Sequence, residues 1–279
     1  MDGPTLQIKK FRIDEMDLNS KCLIIGKPAT GKSTIVKDIM YRHRNKFPCG
    51  IVLSGTEESS KDFSGMVPDL FMYGSYNQEV INKIVARQKR LTRKYGEGRQ
   101  QNNAFIVIDD CMDDPRWIRN KVIRGIFKNG RHWDLFFLLA IQYCLGINPA
   151  MRTCIDYVFI LREPNIESRR KIWKNYAGIF PTFNMFCEVL DNLTNDYNCM
   201  VIKNRVNSNR IEDSVFWYKA KLRRPFRIGT PGYWKFAEQN YNHHYASDEE
   251  REELYGAGGG GLSMQRAKNQ PKITVKMEP

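Results

Sequence analysis

The chain has 279 residues, a formal net charge of +13 at pH 7, 42% hydrophobic residues and 12% aromatic residues. That is enough for one large domain with a sizeable core, or one domain with an appendage. The most apolar run, residues 135–141, falls far short of the ~20 residues of a spanning helix, the first ten residues lack a signal-peptide core, and seven scattered cysteines without a C-x-x-C pair argue for a reducing compartment and against a disulfide framework or zinc site.

Residues 6–13, LQIKKFRI, read as a short strand leading into the core. KCLIIG (21–26) is an apolar strand running into a glycine loop, and 32–44 is the helix that follows. GIVLSG (50–55) is a second strand. A helix over 78–95 precedes a polar loop, GEGRQQNN. AFIVIDD (104–110) is a third strand, and 116–130 is a third helix with Gly130 as its stop. Residues 135–142 and 157–163 form further strands. These runs lack polar alternation, the pattern of parallel strands covered by helices on both faces. The βαβα rhythm predicts a doubly wound α/β domain. Helices at 166–177 and 182–195 follow, then two closing strands, NCMVIKNR and SVFWYKA, at a sheet edge. The chain thus divides into a lead-in at 1–20, a core at 21–244 and a tail at 245–279. The tail's acidic patch, four-glycine run and polar end read as disorder.

The segment IIGKPATGKSTI (24–35) contains G-x-x-x-x-G-K-S between an apolar strand and a helix, the context a phosphate-binding loop requires. The backbone of Gly26, Lys27, Pro28, Ala29, Thr30, Gly31, Lys32, Ser33 and Thr34 would cradle phosphate at the helix N-terminus. Gly26 and Gly31 let the chain approach the anion. Lys32 would reach the β- and γ-phosphates, and the Ser33 hydroxyl would ligate Mg²⁺. The ligand is then a nucleotide such as ATP. FIVIDD supplies the second acidic group at a strand end. Asp109 would hold Mg²⁺, directly or through water, and Asp110 would polarise an attacking water or cap the next turn. Asp113 and Asp114 would start the helix at Pro115. Gln142, at the end of the next apolar strand, emerges on the nucleotide edge, where it would sense the γ-phosphate, orient water or hydrogen-bond a loop.

Arg131 precedes that same strand and so sits at the opposite end from Gln142. From there it would reach a neighbouring subunit's phosphate and stabilise transition-state charge, or serve as a surface arginine. Arg124 and Arg152 are weaker candidates for that role. Two basic ridges stand out. Lys83, Arg87, Arg90 and Lys94 share one helix face opposite Ile81, Ile84, Val85 and Leu91. Lys121, Arg124 and Lys128 lie opposite Ile118, Val122 and Ile126. Each ridge is either a solvated outer face or a surface for nucleic-acid phosphates. The overall positive charge favours an anionic partner, nucleic acid or a membrane surface. A third basic concentration is KAKLRRPFRIG (219–229).

Together, CLIIGKPATGKST, VLSGTE, FIVIDDCMDD, NGRHWDLFFLLAIQY and DSVFWYKAKLRRPFRIG resemble the poxvirus-type DNA packaging ATPases of nucleocytoplasmic large DNA viruses, a branch of the FtsK–HerA superfamily. The similarity runs from about residue 10 to residue 230. It implies a RecA-like core that uses ATP and Mg²⁺ to translocate double-stranded DNA into a capsid. It also implies a homo-oligomeric ring, pentamer or hexamer, working in the host cytoplasm at the viral factory or on the virion, with capsid or inner-membrane proteins as docking partners. By position Lys32 and Ser33 take the Walker A roles, Asp109 and Asp110 the Walker B roles, Gln142 the sensor role and Arg131 the arginine-finger role. The second Walker B acid is Asp where most members of the superfamily have Glu. Two other readings stay open: a small-molecule P-loop kinase, with REPNIESRRK (162–171) as an arginine-rich lid, and a non-hydrolysing ATP-binding assembly component. A GTPase is disfavoured by the missing N-K-x-D motif.

Overall fold

The structure is a computed structural model that describes residues 6–55, 61–111 and 117–241. The helix start expected at Asp113 and Asp114, and the tail expected at 245–279, lie outside the described residues. The strands are β1 (Lys9–Lys10), β2 (Lys21–Ile25), β3 (Cys49–Ser54), β4 (Met72–Tyr73), β5 (Ala104–Asp109), β6 (Leu135–Ile141), β7 (Tyr157–Ile160), β8 (Asn198–Lys203) and β9 (Val215–Lys219). They form one nine-stranded sheet in the order β1-β9-β8-β7-β2-β6-β5-β3-β4. All pairings are parallel except those of β8 with β7 and with β9. The domain is therefore α/β with a mostly parallel sheet.

The helices are α1 (Lys32–Arg42), α2 (Gln78–Tyr95), α3 (Lys121–Asn129), α4 (Pro149–Arg152), α5 (Ile166–Tyr176), α6 (Phe183–Leu193), α7 (Ile211–Ser214) and α8 (Pro231–Asn240). The central strands β2, β5, β6 and β7 are buried along their whole length because both faces are covered. Along β5, Ala104, Ile106 and Ile108 face the core shared with α2, α3, α5 and α6. Phe105 and Val107 face the core beneath α1, which contributes Ile35, Val36, Ile39 and Met40. Connection geometry explains this split. From β2 the chain moves three places along the sheet to β3 through α1, then returns through α2 and α3 to β5 and β6 and continues past β2 to β7. Right-handed crossovers in opposite directions put their helices on opposite faces. β2 thus sits at the switch point, where a crevice opens at the carboxyl ends of the strands.

Several expectations shift. The strand expected over residues 6–13 shortens to Lys9–Lys10, followed by a 3₁₀ turn at Ile13–Glu15. It pairs in parallel with β9, placing the first strand beside the last at the sheet edge. The helix expected over 116–130 is divided: a 3₁₀ turn spans Trp117–Arg119, and Asn120 caps α3 by accepting from the Val122 N–H at 2.7 Å. α3 ends at Asn129 with Gly130 as its C-cap, at the expected stop. Gly130 keeps right-handed helical angles, and the chain continues as a 3₁₀ turn to Asp134, whose φ of 48° and ψ of 43° end it. Helix α8 follows the closing strands, started by Thr230 and Pro231. Tyr233 of α8 stacks on Phe71 with ring centroids 4.4 Å apart and donates its hydroxyl to the Gly50 carbonyl at 2.7 Å. Among the described residues, no helix is long and apolar enough to cross a membrane.

Candidate active site

The crevice at the carboxyl ends of β2, β5 and β6 gathers the residues of the loop and both acidic positions. β2 ends at Ile25, and the Gly26 N–H donates to the Ile141 carbonyl at 3.1 Å, so the loop leaves the sheet beside the end of β6. The loop then turns through left-handed backbone at Ala29 (φ 59°) and Gly31 (φ 101°) before α1 begins at Lys32. A methyl group on Gly26 would lie 2.6 Å from Thr30 Oγ1 and 2.7 Å from Leu161 Cδ1, so a larger residue does not fit there. The first N–H groups of a helix have no acceptor within it, and Gly31, Lys32, Ser33 and Thr34 at the start of α1 line the cleft, as an anion-binding cradle requires.

Lys32 is buried, and its ammonium donates to the Lys27 carbonyl at 3.0 Å within the loop. Burial lowers its pKa, opposed by the nearby charges of Asp110 and Asp109. The Ser33 hydroxyl donates to Asp109 Oδ2 at 3.3 Å. Burial pushes the Asp109 pKa up to about 6; the Lys32 charge and the Ser33 hydrogen bond pull it down, and Asp110 adds to the rise. The other oxygen, Asp109 Oδ1, is buried and has no hydrogen-bond partner among the described residues. A buried carboxylate oxygen without a donor is costly. Beside a serine hydroxyl at a phosphate loop, this donor set suits a hard divalent cation that completes its shell with phosphate and water. No group of three or more His, Cys, Asp and Glu among the described residues could hold a metal without such added ligands.

Asp110 adopts φ 54°, an uncommon conformation for a residue with a side chain, and its N–H donates to the Ala140 carbonyl at 3.3 Å. The Gln142 amide donates to Asp110 Oδ2. The glutamine at the end of β6 and the second aspartate at the end of β5 are thus brought together. Both line a cleft of about 1010 Å³ that also contains Lys32, Ser33 and Asp109.

Other site contacts were not visible in the motifs. Lys27 pairs with the nearly buried Glu163 at 3.0 Å, linking the loop to the segment after β7. In α1, Asp38 is fully buried and accepts hydrogen bonds from the Tyr218 hydroxyl, the Lys221 N–H and Arg223 Nε. This contact fixes the segment after β9 to the helix after the loop. Tyr197 also lines the cleft. A buried polar residue in a helix interior is a weak signal for such a hub; Tyr197 carried none.

Arg131 and Gln142 do flank β6, whose seven residues separate them by about 20 Å. Arg131 therefore cannot reach a phosphate on its own chain's loop. Its guanidinium instead pairs with Asp156 Oδ1 at 2.7 Å. Asp156 is buried and also takes Lys21 Nζ at 3.1 Å, the Lys21 N–H at 2.8 Å and Arg205 Nε at 3.8 Å. Arg152 is likewise held within the chain, donating to the Ile147 carbonyl at 2.8 Å and to Asn175. In the lid-like segment, Arg169 forms a two-pronged pair with Asp191 at 2.6 and 2.9 Å, and Arg170 covers the Phe183 ring. These arginines brace α5 against α6 and do not line the cleft.

The basic ridges lie on the helices of the face opposite α1. Lys83, Arg90 and Lys94 are exposed and Arg87 is half-buried, its guanidinium donating to Gln88. Leu91 is only partly buried; the inner face of α2 is completed by Gln88, which donates to the carbonyls of Asn102, Trp133 and Asp134. Lys121, Arg124 and Lys128 are exposed on α3. The inner face there is Ile123, Ile126 and Phe127; of the expected set, Ile118 precedes α3 and Val122 is only partly buried.

No family model matches the chain. Among curated proteins it is 36% identical over 244 residues to Uncharacterized protein 015R of Frog virus 3 (isolate Goorha), covering 82% of this chain and 74% of that one. It is 36% identical over 232 residues to Uncharacterized protein 075L of Invertebrate iridescent virus 6, covering 82% and 89%. It is 32% identical over 262 residues to Uncharacterized protein L437 of Acanthamoeba polyphaga mimivirus, covering 92% of each. Among solved structures, the genome packaging NTPase B204 from Sulfolobus turreted icosahedral virus 2, in complex with ATP-gammaS, matches with a TM-score of 0.51 at 16% identity, over 74% of this chain and 100% of that one. The crystal structure of B204, the DNA-packaging ATPase from Sulfolobus Turreted Icosahedral Virus, matches with a TM-score of 0.52 at 15% identity, over the same shares. The likeness to both is one of fold.

Proposed function

The chain belongs to the family of these Frog virus 3, iridescent virus and mimivirus proteins, and from that premise we propose that it is an ATP-hydrolysing motor that moves double-stranded DNA into viral capsids. The observation that carries hydrolysis is the Gln142–Asp110 pair, set in one cleft with the Ser33–Asp109 join whose Oδ1 has no donor among the described residues. The genome-packaging names of its fold neighbours and the exposed basic ridges support DNA as the substrate.

Lys32 leaves the Lys27 carbonyl for the β- and γ-phosphates of bound ATP, and the loop N–H groups hold the rest of the chain of phosphates. Ser33 and Asp109 hold Mg²⁺, which when bound offsets the charge of the phosphate oxygens. Asp110, oriented by Gln142, accepts the proton of the attacking water, and the hydrogen-bonded pair fixes the water's direction. A ring, pentamer or hexamer, brings Arg131 of one subunit to the phosphates of the next, where its charge stabilises the transition state. For that, Arg131 exchanges Asp156 for phosphate, and Lys21 and Arg205 keep Asp156 compensated. The ridges of α2 and α3 grip the DNA backbone through charge, without reading its sequence. The motor docks on capsid or inner-membrane proteins and works in the host cytoplasm at the viral factory or on the virion.

The deciding experiment is steady-state ATP hydrolysis with and without duplex DNA at low salt. The expected result is DNA-stimulated turnover that Lys32→Ala abolishes. Absence of stimulation, or full turnover in Lys32→Ala, overturns the reading. Phosphoryl transfer to an added nucleoside in place of water would identify a kinase instead.

A further inference from the structure

Between α6 and β8 the chain makes a tight turn at Asn195, Asp196, Tyr197 and Asn198. The Asn198 N–H donates to the Asn195 carbonyl at 3.0 Å, and the two central residues, Asp196 and Tyr197, have φ of 53° and 57°. Two positive φ values mark a turn normally built from glycine and asparagine. A tyrosine at the second central position is disfavoured by its own Cβ. Burial does not compensate: Tyr197 is 71% exposed. An uncompensated residue in strained backbone points to a task.

The position supplies the task. Tyr197 lines the same cleft as the phosphate loop, and its ring carbon Cδ1 would lie 3.9 Å from a methyl group on Gly31. Ala220 and Leu222 line that cleft too, and Leu222 is 89% exposed. The segment carrying them is rigidly placed. Asp38 of α1 holds it on both sides of Leu222, through the Lys221 N–H at 2.7 Å and Arg223 Nε at 2.7 Å, and Lys219 pairs with Asp196 of the turn. The phosphate loop accounts for the charged end of a nucleotide. A flat aromatic ring and a branched aliphatic side chain, both water-exposed and both in the same cleft, match its other end.

We propose that Tyr197, with Leu222 beside it, is the platform on which the nucleobase stacks when the phosphates occupy the loop. The proposal rests on the nucleotide-binding reading and adds the recognition of the base. Covering the ring with a base removes apolar surface from water and adds a stacking contact available to any purine.

The test is calorimetric binding of Mg·ATP and of magnesium tripolyphosphate to the wild-type chain and to Tyr197→Ala, Tyr197→Gly, Tyr197→Trp and Lys32→Ala. Tyr197→Ala and Tyr197→Gly are expected to weaken ATP by about tenfold or more and leave tripolyphosphate unchanged, while Tyr197→Trp retains ATP. Tyr197→Gly is expected to keep or raise the melting temperature, because glycine removes the strain, so its weaker binding would not reflect unfolding. Unchanged ATP affinity in the Ala and Gly variants, or equal losses for ATP and tripolyphosphate, would overturn the platform while leaving the loop's role intact. If the wild-type chain binds neither probe, or Lys32→Ala weakens neither, the nucleotide reading fails and the platform fails with it.

Discussion

Ser33 and Asp109 stand 76 residues apart in the chain and 3.3 Å apart in the cleft. The first lies in the opening turn of α1 after the phosphate loop, and the second closes β5. Their meeting leaves one buried carboxylate oxygen open for a cation. Asp109→Asn keeps the shape and removes the charge. The expected outcome is a fall in ATP turnover of about 10²-fold or more, because the cation's ligand set and the charge facing Lys32 are both lost. Steady-state hydrolysis across a magnesium titration checks this; wild-type turnover would exclude Asp109 as a ligand.

Asp110 and Gln142 form a hydrogen-bonded pair on the nucleotide edge. Asp110→Asn is expected to lower turnover by about 10²–10⁴-fold and to change ATP affinity only a few-fold, since the group meets water and not the phosphates. Gln142→Ala is expected to show a milder loss of the same kind. Turnover and equilibrium binding measured on the same preparations separate the two effects.

The Arg131–Asp156 pair allows a complementation test. Arg131→Ala leaves Lys21 and Arg205 on Asp156, and Arg131 is itself about a third exposed, so the expected stability loss is modest, about 1–2 kcal/mol. Its turnover is expected to fall, as is that of Lys32→Ala. Mixing the two inactive chains should restore part of the activity, because mixed subunits would contain an intact loop facing an intact Arg131. No recovery on mixing, with both variants folded, would rule out a role between subunits.

The basic ridges are tested by salt. Replacing Lys83, Arg90 and Lys94 with Gln is expected to weaken duplex DNA binding and to flatten the log–log salt dependence by about 0.9 for each DNA phosphate that is no longer neutralised. Basal turnover without DNA should not change, since none of these residues lines the cleft. An unaltered salt slope would identify the α2 ridge as a solvated outer face.

His43 makes stability depend on pH. It is 1% exposed and packed against the rings of Phe47 and Phe136, and burial lowers its pKa from 6.5 to about 4. Above pH 6.5 the imidazole is neutral in both folded and unfolded chains. Between 6.5 and 4 the unfolded chain takes up the proton and the folded chain resists it, so stability falls as pH falls across that window. The contribution is roughly 3 kcal/mol. Asp109, raised to about 6, titrates across the same window with the opposite sign, so denaturant unfolding of the wild-type chain and of His43→Phe at pH 7 and pH 4.5 isolates the His43 part: the variant should lose less stability on acidification than the wild-type chain.

The local parts of this protein are written in consecutive residues. The loop from Gly26 to Ser33, the paired Asp109 and Asp110 at a strand end, and the apolar runs of a covered parallel sheet depend on neighbours within a dozen positions. Backbone sterics and side-chain periodicity act at that range. Membership in the parallel α/β class followed from them, as did the placement of Gln142 and Arg131 at opposite ends of β6. Tertiary structure decided what depends on distant residues meeting. The chain could not announce that β1 would pair with β9, that Asp156 would hold Arg131, that Asp38 would anchor the segment carrying Leu222, or that Glu163 would take Lys27. Nor could it mark Tyr197, an ordinary tyrosine until a turn with two left-handed residues stands it beside Gly31. Asp156, Asp38 and Glu163 are buried charges compensated by residues far along the chain, and folding alone sets which residues those are.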